Sequence, residues 1–183
     1  MLVEITESGH DVLLDIVYAT ERNFTGTPVY RRPACYLHPD AAAALARAVA
    51  LAKPLGLRLK IFDGFRPSEA QRRFWKLLPD PVYVADPRQG STHSRGIAVD
   101  LTLTDDSGAE LDMGTGFDAF TPLSHHAHTG ISVTAQQNRL TLLGLMSASG
   151  WNFRASEWWH YQLFLPSRYP LLPDSVLPEP LAL

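Results

Sequence analysis

Between Ile97 and Thr104 the chain alternates cleanly. Ile97, Val99, Leu101 and Leu103 would share one face of a strand, and Ala98, Asp100, Thr102 and Thr104 the other. Asp100 is the charged member of this strand, and a charge there is costly unless something pairs with it. Val12 to Tyr18 also reads as a strand, although its apolar residues alternate less cleanly. Pro39-Asp40 opens an alanine-rich helix that runs to about Lys53, with the proline near the first turn, and Pro54 and Gly56 end it. Leu57 to Phe62 predicts a short strand that delivers Asp63-Gly64-Phe65-Arg66-Pro67. A second helix then starts at Pro67-Ser68-Glu69 and runs to about Leu78. Thr134 is the expected cap of a third helix reaching about Ser149, with Leu140, Leu143 and Met146 on its buried side and Gly150 closing it. Trp151 to Phe153 and Trp158 to Leu165 read as a closing hairpin. Asn23 to Pro28 and Pro79 to Gly90 are loops, Asp105 to Gly108 is a turn, and the glycines within Leu111 to Asp118 argue against regular structure there. Prolines at 166, 170, 173, 178 and 180 preclude a regular core element in the tail. With no internal repeat, low-complexity tract or linker, the pattern predicts one α+β domain over residues 1–183, built on helices near 39–53, 67–78 and 134–149.

Composition narrows the function classes. A chain of 183 residues suits one well-packed domain. A net charge of −3 leaves no electrostatic footprint for nucleic acid or an anionic membrane. The single cysteine, Cys35, excludes an intrachain disulfide and a cysteine metal cage. The N-terminus has no basic region followed by a long apolar run, and no stretch is apolar for the length of a membrane span. A cytoplasmic location is the default expectation.

The candidate chemistry lies around the alternating strand. His93 precedes it, and Gly96 allows the sharp turn that brings His93 back over Asp100. An imidazole and a carboxylate make a metal pair whose usual occupant is zinc. His160, in Glu157-Trp158-Trp159-His160-Tyr161, would complete a His, Asp, His set with one position open for water, the mark of a catalytic site. Glu157 would then take a proton from that water. Residues three apart face opposite sides of a flat strand, so Glu157 must sit at the strand's entry, or the strand must bend or bulge. Each residue also has a plain structural reading: His93 and Asp100 as a buried hydrogen-bonded pair, His160 as a core histidine, and the tryptophans as core or pocket wall. Position alone favours Arg66 as a surface arginine or a partner of Asp63, over a cation aimed at a developing oxyanion. His125, His126 and His128 read as solvated or backbone-bonded rather than as a rival metal site.

Ser91-x-His93-x-x-Gly96-x-Ala98-x-Asp100 and Glu157-x-x-His160 together resemble the two signatures of the D-alanyl-D-alanine metallopeptidases. That group includes D,D-carboxypeptidases, phage endolysins and the zinc-bearing lobe of hedgehog signalling domains. Within it the chain is most similar to the D-alanyl-D-alanine dipeptidases of the vancomycin-resistance type. That similarity spans Tyr18-Ala19-Thr20, Asn23-Phe24-Thr25-Gly26, Asp63 to Pro67, Met113 to Asp118, Ser124-His125-His126 and Glu157 to His160. The resemblance implies a small, largely antiparallel sheet carrying one zinc ion per chain, held by His93, Asp100 and His160. It makes Glu157 the general base and then acid, and Arg66 the oxyanion partner, reversing the reading from position. Ser91 would help hold the substrate's C-terminal carboxylate, and Tyr18 and Asp118 would lie near its ammonium. His125, His126 and His128 are not ligands in that pattern. Phe65 stands where tyrosine is common, and the segment from the Ser68 helix to Ser91 is shorter than in the vancomycin-resistance type. The implied reaction is zinc-dependent hydrolysis of D-alanyl-D-alanine. The alternatives are a D,D-carboxypeptidase acting on peptidoglycan stem peptides and a non-catalytic zinc-binding module. The implied partner is a small dipeptide, and homo-oligomerisation stays open.

Overall fold

The computed structural model describes residues 1–183. Seven strands and four α-helices follow the chain: β1 (Val3–Ile5), α1 (Glu7–His10), β2 (Leu13–Leu14), β3 (Cys35–Leu37), α2 (Pro39–Ala52), β4 (Leu57–Asp63), α3 (Ser68–Leu77), β5 (Ala98–Asp105), α4 (Val133–Ala148), β6 (Trp151–Arg154) and β7 (Glu157–Leu163). The main sheet has five strands in the order β2-β4-β5-β7-β6. Only the β2–β4 pair is parallel, and the others are antiparallel. β1 and β3 form a separate antiparallel pair. This is the α+β domain with a largely antiparallel sheet that the sequence predicts. No helix is long and apolar enough to cross a membrane.

Helices α2 and α4 pack on each other and against the main sheet. The helix-facing side of α2 is small: Ala41, Ala44, Ala48 and Ala52 are buried beside Leu45, which lets the helix lie close to its neighbours. Neither α2 nor α4 contributes to the cavity beside Asp100, whereas α3 contributes Phe74. The sheet therefore has a helix-covered face and a site face. The alternation in β5 assigns Asp100 to the site face, and all four residues of that row, Ala98, Asp100, Thr102 and Thr104, are buried.

Several expectations need correction. Only Leu13–Leu14 of the 12–18 segment pairs as a strand, and Val17–Ala19 turns as a 3₁₀ helix, which its imperfect alternation foreshadowed. α4 is capped by Ser132, whose hydroxyl accepts the Ala135 N–H, and not by Thr134. Its buried face is Ala135, Arg139, Leu142, Leu145 and Met146, while Leu140 is 66% exposed. The buried arginine misled the periodicity, because a polar residue holds a core position. The tail forms no regular core element, yet it packs back. Leu181 is fully buried, and its carbonyl accepts the Arg31 N–H at 2.9 Å.

Candidate active site

Sheet register builds the site. Asp63 of β4 lies opposite Asp100 of β5, and Asp100 lies opposite His160 of β7, so one rung carries all three side chains on the same face. A bulge between Ile61 and Asp63 sets this alignment. His93 comes from the 3₁₀ turn His93–Arg95, which ends at Gly96 with φ 69°. A Cβ on Gly96 would lie 2.7 Å from Leu2 Cδ2 and 3.2 Å from the His38 nitrogen, so glycine is required both for the left-handed turn and for the space.

Three potential ligand atoms converge. His160 Nδ1 lies 3.0 Å from Asp100 Oδ1 and 3.1 Å from His93 Nε2, and His93 Nε2 lies 3.3 Å from Asp100 Oδ1. The other ring nitrogens are engaged. His93 Nδ1 donates to the Gly64 carbonyl at 2.8 Å, and His160 Nε2 donates to Gln162 Oε1 at 3.1 Å. Those bonds leave lone pairs on His93 Nε2 and His160 Nδ1, facing each other and a carboxylate oxygen. Three converging acceptors repel unless a cation lies among them, so the donor set fits a divalent metal with nitrogen and oxygen preferences. When the two rings take up protons in place of a cation, burial still opposes ionisation of Asp100, but the charge and hydrogen bonds of the protonated imidazoles outweigh it and hold the carboxyl well below its ordinary range.

Glu157 is the first residue of β7, and the β6–β7 register breaks between Phe153 and Arg154. Strand entry and irregular pairing together put Glu157 on the side of His160, with Oε2 3.9 Å from His160 Nδ1. Burial raises its carboxyl from 4.5 to about 7, against the opposing pull of His160 and Arg154. Arg154 Nε lies 3.2 Å from Glu157 Oε1, but that oxygen accepts no hydrogen bond. The arginine instead donates to the Pro81 and Val82 carbonyls.

Arg66 is buried, which corrects its reading as a surface residue. It is indeed a partner of Asp63, donating from Nε to Oδ2 at 2.8 Å, and it also donates to Gln71 Oε1 and to Asp100 Oδ2, each at 3.2 Å. Its guanidinium lies over the rings of Tyr18 and Phe74. Ser91 is buried, and its oxygen accepts the His93 N–H at 3.2 Å. Tyr18 donates to Asp118 Oδ2 at 2.9 Å, and Asp118 adopts a left-handed φ of 56°. Burial, and then the charge of Asp100, push the Asp118 carboxyl well above its ordinary range. Tyr18, Arg66, Ser91, His93, Asp100, Asp118, Glu157 and His160 all line one cavity, of about 40 Å³.

A family model described as D-ala-D-ala dipeptidase matches residues 1–171. The chain is 44% identical to the D-alanyl-D-alanine dipeptidase of Escherichia coli K12 over 173 residues, covering 94% of this chain and 90% of that one. It is 37% identical to the Enterococcus faecium protein of the same name, covering 87% and 89% of the two chains. The Streptomyces coelicolor namesake is 38% identical, covering 81% and 84%. The chain belongs to the D-ala-D-ala dipeptidase family. As a family member it is a metallopeptidase whose candidate metal centre is the buried His93, Asp100 and His160 set.

Other histidines of this family member lie outside that set. His125 Nε2 is 3.5 Å from the Tyr83 hydroxyl, and His128 Nδ1 accepts the Gly130 N–H. His126 differs from the expectation of a solvated or backbone-bonded ring: it is half-buried, its Nε2 is buried without a partner, and burial lowers its pKa to about 4. Sequence reasoning missed Gln162 and Arg154, and it gave Asp63 no role beyond a partner for Arg66. Gln162 carried a usable signal, because it stands two residues beyond His160 on a strand and so faces the same side. Of the tryptophans, Trp151, Trp158 and Trp159 are all buried, and Trp159 also lines the cavity.

Proposed function

We propose that the chain is a zinc-dependent dipeptidase that hydrolyses D-alanyl-D-alanine to two D-alanines. The observation that carries this reading is the convergence of His93 Nε2, Asp100 Oδ1 and His160 Nδ1 beside the carboxylate of Glu157. These residues would hold one zinc ion, which supplies a Lewis acid and lowers the pKa of a bound water to about 7.

The chain's own groups do the rest. Glu157 takes the proton of the attacking water and returns it to the leaving amine. Three of the five N–H groups of Arg66 are engaged by Asp63, Gln71 and Asp100, so two remain for the oxyanion. Ser91 accepts from the His93 backbone and keeps its hydroxyl proton for the substrate's carboxylate. Asp118, destabilised as an anion by burial, regains its charge when an ammonium is brought against it. A longer stem peptide presents a neutral amide there and gains nothing from Asp118. That difference favours the dipeptide over the carboxypeptidase substrate.

All eight candidate residues line one cavity of this chain, which supports reading the 183 residues as one catalytic domain. A free dipeptide substrate suits a cytoplasmic enzyme. The test is D-alanine release from D-Ala-D-Ala and from a pentapeptide ending in D-Ala-D-Ala, using zinc-loaded and chelated protein. Zinc-dependent cleavage of the dipeptide alone is expected. Cleavage of the pentapeptide would make it a carboxypeptidase, and stoichiometric zinc without hydrolysis would make it a binding module.

A further inference from the structure

We infer that Gln162 is a positioning residue for His160, fixing the tautomer that turns Nδ1 toward the metal site; this rests on the reading of His160 as a ligand. Gln162 follows His160 by two positions on β7, so both side chains leave the strand on the same face. Its Oε1 lies 3.1 Å from His160 Nε2 and also accepts the Thr92 hydroxyl at 3.1 Å. An amide oxygen only accepts, so the ring proton sits on Nε2 and the lone pair on Nδ1.

The geometry has two further supports. Thr92 directly precedes His93, so one amide oxygen ties together the two segments that supply the histidines. The backbone of Gln162 pairs with Ala98 of β5 on one side and Asn152 of β6 on the other, which holds the amide in register with the rung carrying Asp100 and His160. The remaining ligands are braced in the same way, His93 by the Gly64 carbonyl and Asp100 by Arg66. Without Gln162, His160 would be the one member of the set with a free outer nitrogen.

Outer partners of ligating histidines change metal affinity by about 10- to 100-fold. Gln162 is half-buried and borders an open groove with Trp75 and Arg154, so water can replace part of its bond. The expected effect is therefore at the low end, about tenfold. The sign depends on the replacement. Methionine has a similar reach and no comparable acceptor, so it weakens zinc binding. Glutamate keeps the acceptor and adds negative charge, which raises the basicity of the ring and tightens binding.

The experiment is zinc competition against a chromophoric chelator, with melting curves of the metal-free proteins, for the wild type, Gln162→Met, Gln162→Glu and His160→Ala. The expected order of affinity is Gln162→Glu above wild type, and wild type about tenfold above Gln162→Met. Packing loss alone does not tighten binding, so the gain in Gln162→Glu separates positioning from a structural role. Equal affinities across the wild type and both Gln162 variants overturn the inference. Should Gln162→Met fail to fold, Gln162→Glu decides alone, tighter binding supporting the inference and equal or weaker binding refuting it. If His160→Ala holds zinc as well as the wild type does, the ligand reading itself has failed.

Discussion

Glu157 is set apart from a surface glutamate by its surroundings rather than its sequence. It is buried, one oxygen accepts no hydrogen bond, and burial lifts its carboxyl from 4.5 to about 7. A base must be deprotonated to accept a proton, so activity belongs to the form that dominates above about 7. kcat/KM should therefore fall as pH drops, by about tenfold per unit well below the midpoint. A divalent cation beside Glu157 pulls that value down, so the limb should lie at or below about 7, and a profile in which Glu157→Gln leaves the acidic limb unmoved would remove Glu157 from the role of base. Glu157→Gln keeps the shape and removes the basicity. It should lower kcat by about 10²–10⁴-fold while zinc content, measured by elemental analysis, stays at the wild-type level. Loss of metal together with activity would instead make Glu157 a ligand.

Among the larger pieces, the segment from Met113 to His125 has three of its carbonyls held by a single side chain. Arg139 of α4 is 2% exposed and donates to the carbonyls of Met113, Leu123 and His125 at 2.7, 2.9 and 3.1 Å. It also reaches Thr115 Oγ1, which accepts the indole N–H of Trp158. This segment carries Asp118 to Tyr18, so the anchor of the loop is an anchor of the proposed ammonium site. Arg139→Met leaves three carbonyls without their donor and should cost about 3 kcal/mol or more in urea unfolding. In the folded fraction, KM for D-Ala-D-Ala should rise, by about tenfold for each 1.4 kcal/mol of lost clamp energy, with a smaller change in kcat. An unchanged KM would detach the loop from substrate binding. This anchor is also where reading the sequence failed. An amphipathic pattern assigns an arginine to solvent, and the carbonyls that satisfy Arg139 come from residues far enough along the chain that no local spacing reveals them. The candidate ligand cluster was readable for the opposite reason. His93, Gly96 and Asp100 form one turn and strand, and Glu157 and His160 one strand entry, so their relation is local. The rung that aligns Asp63, Asp100 and His160 depends on pairing among β4, β5 and β7, which periodicity does not encode.

Over the whole molecule the candidate metal centre would act as a fastener. Its three candidate ligands come from β5, β7 and the turn before β5, and Asp63 and Arg66 extend the network to β4 and to the start of α3. Without a cation, the same arrangement brings two imidazole lone pairs and a carboxylate oxygen to within 3.0–3.3 Å of each other. Unfolding separates these groups, so a metal that binds only the folded chain stabilises it by mass action. At free zinc about 1,000 times the dissociation constant the gain is about 4 kcal/mol. For a chain of this size each kcal/mol moves the melting temperature by about 2–4 °C, so chelation should lower it by about 10 °C. The same chelator should leave the melting temperature of His93→Ala unmoved, because that variant has already lost the site. Calorimetry of both proteins with and without chelator checks this. A wild-type melting temperature indifferent to chelation would mean that the rung holds itself together, through a proton shared between His160 and Asp100, and that the convergence of ligand atoms is structural.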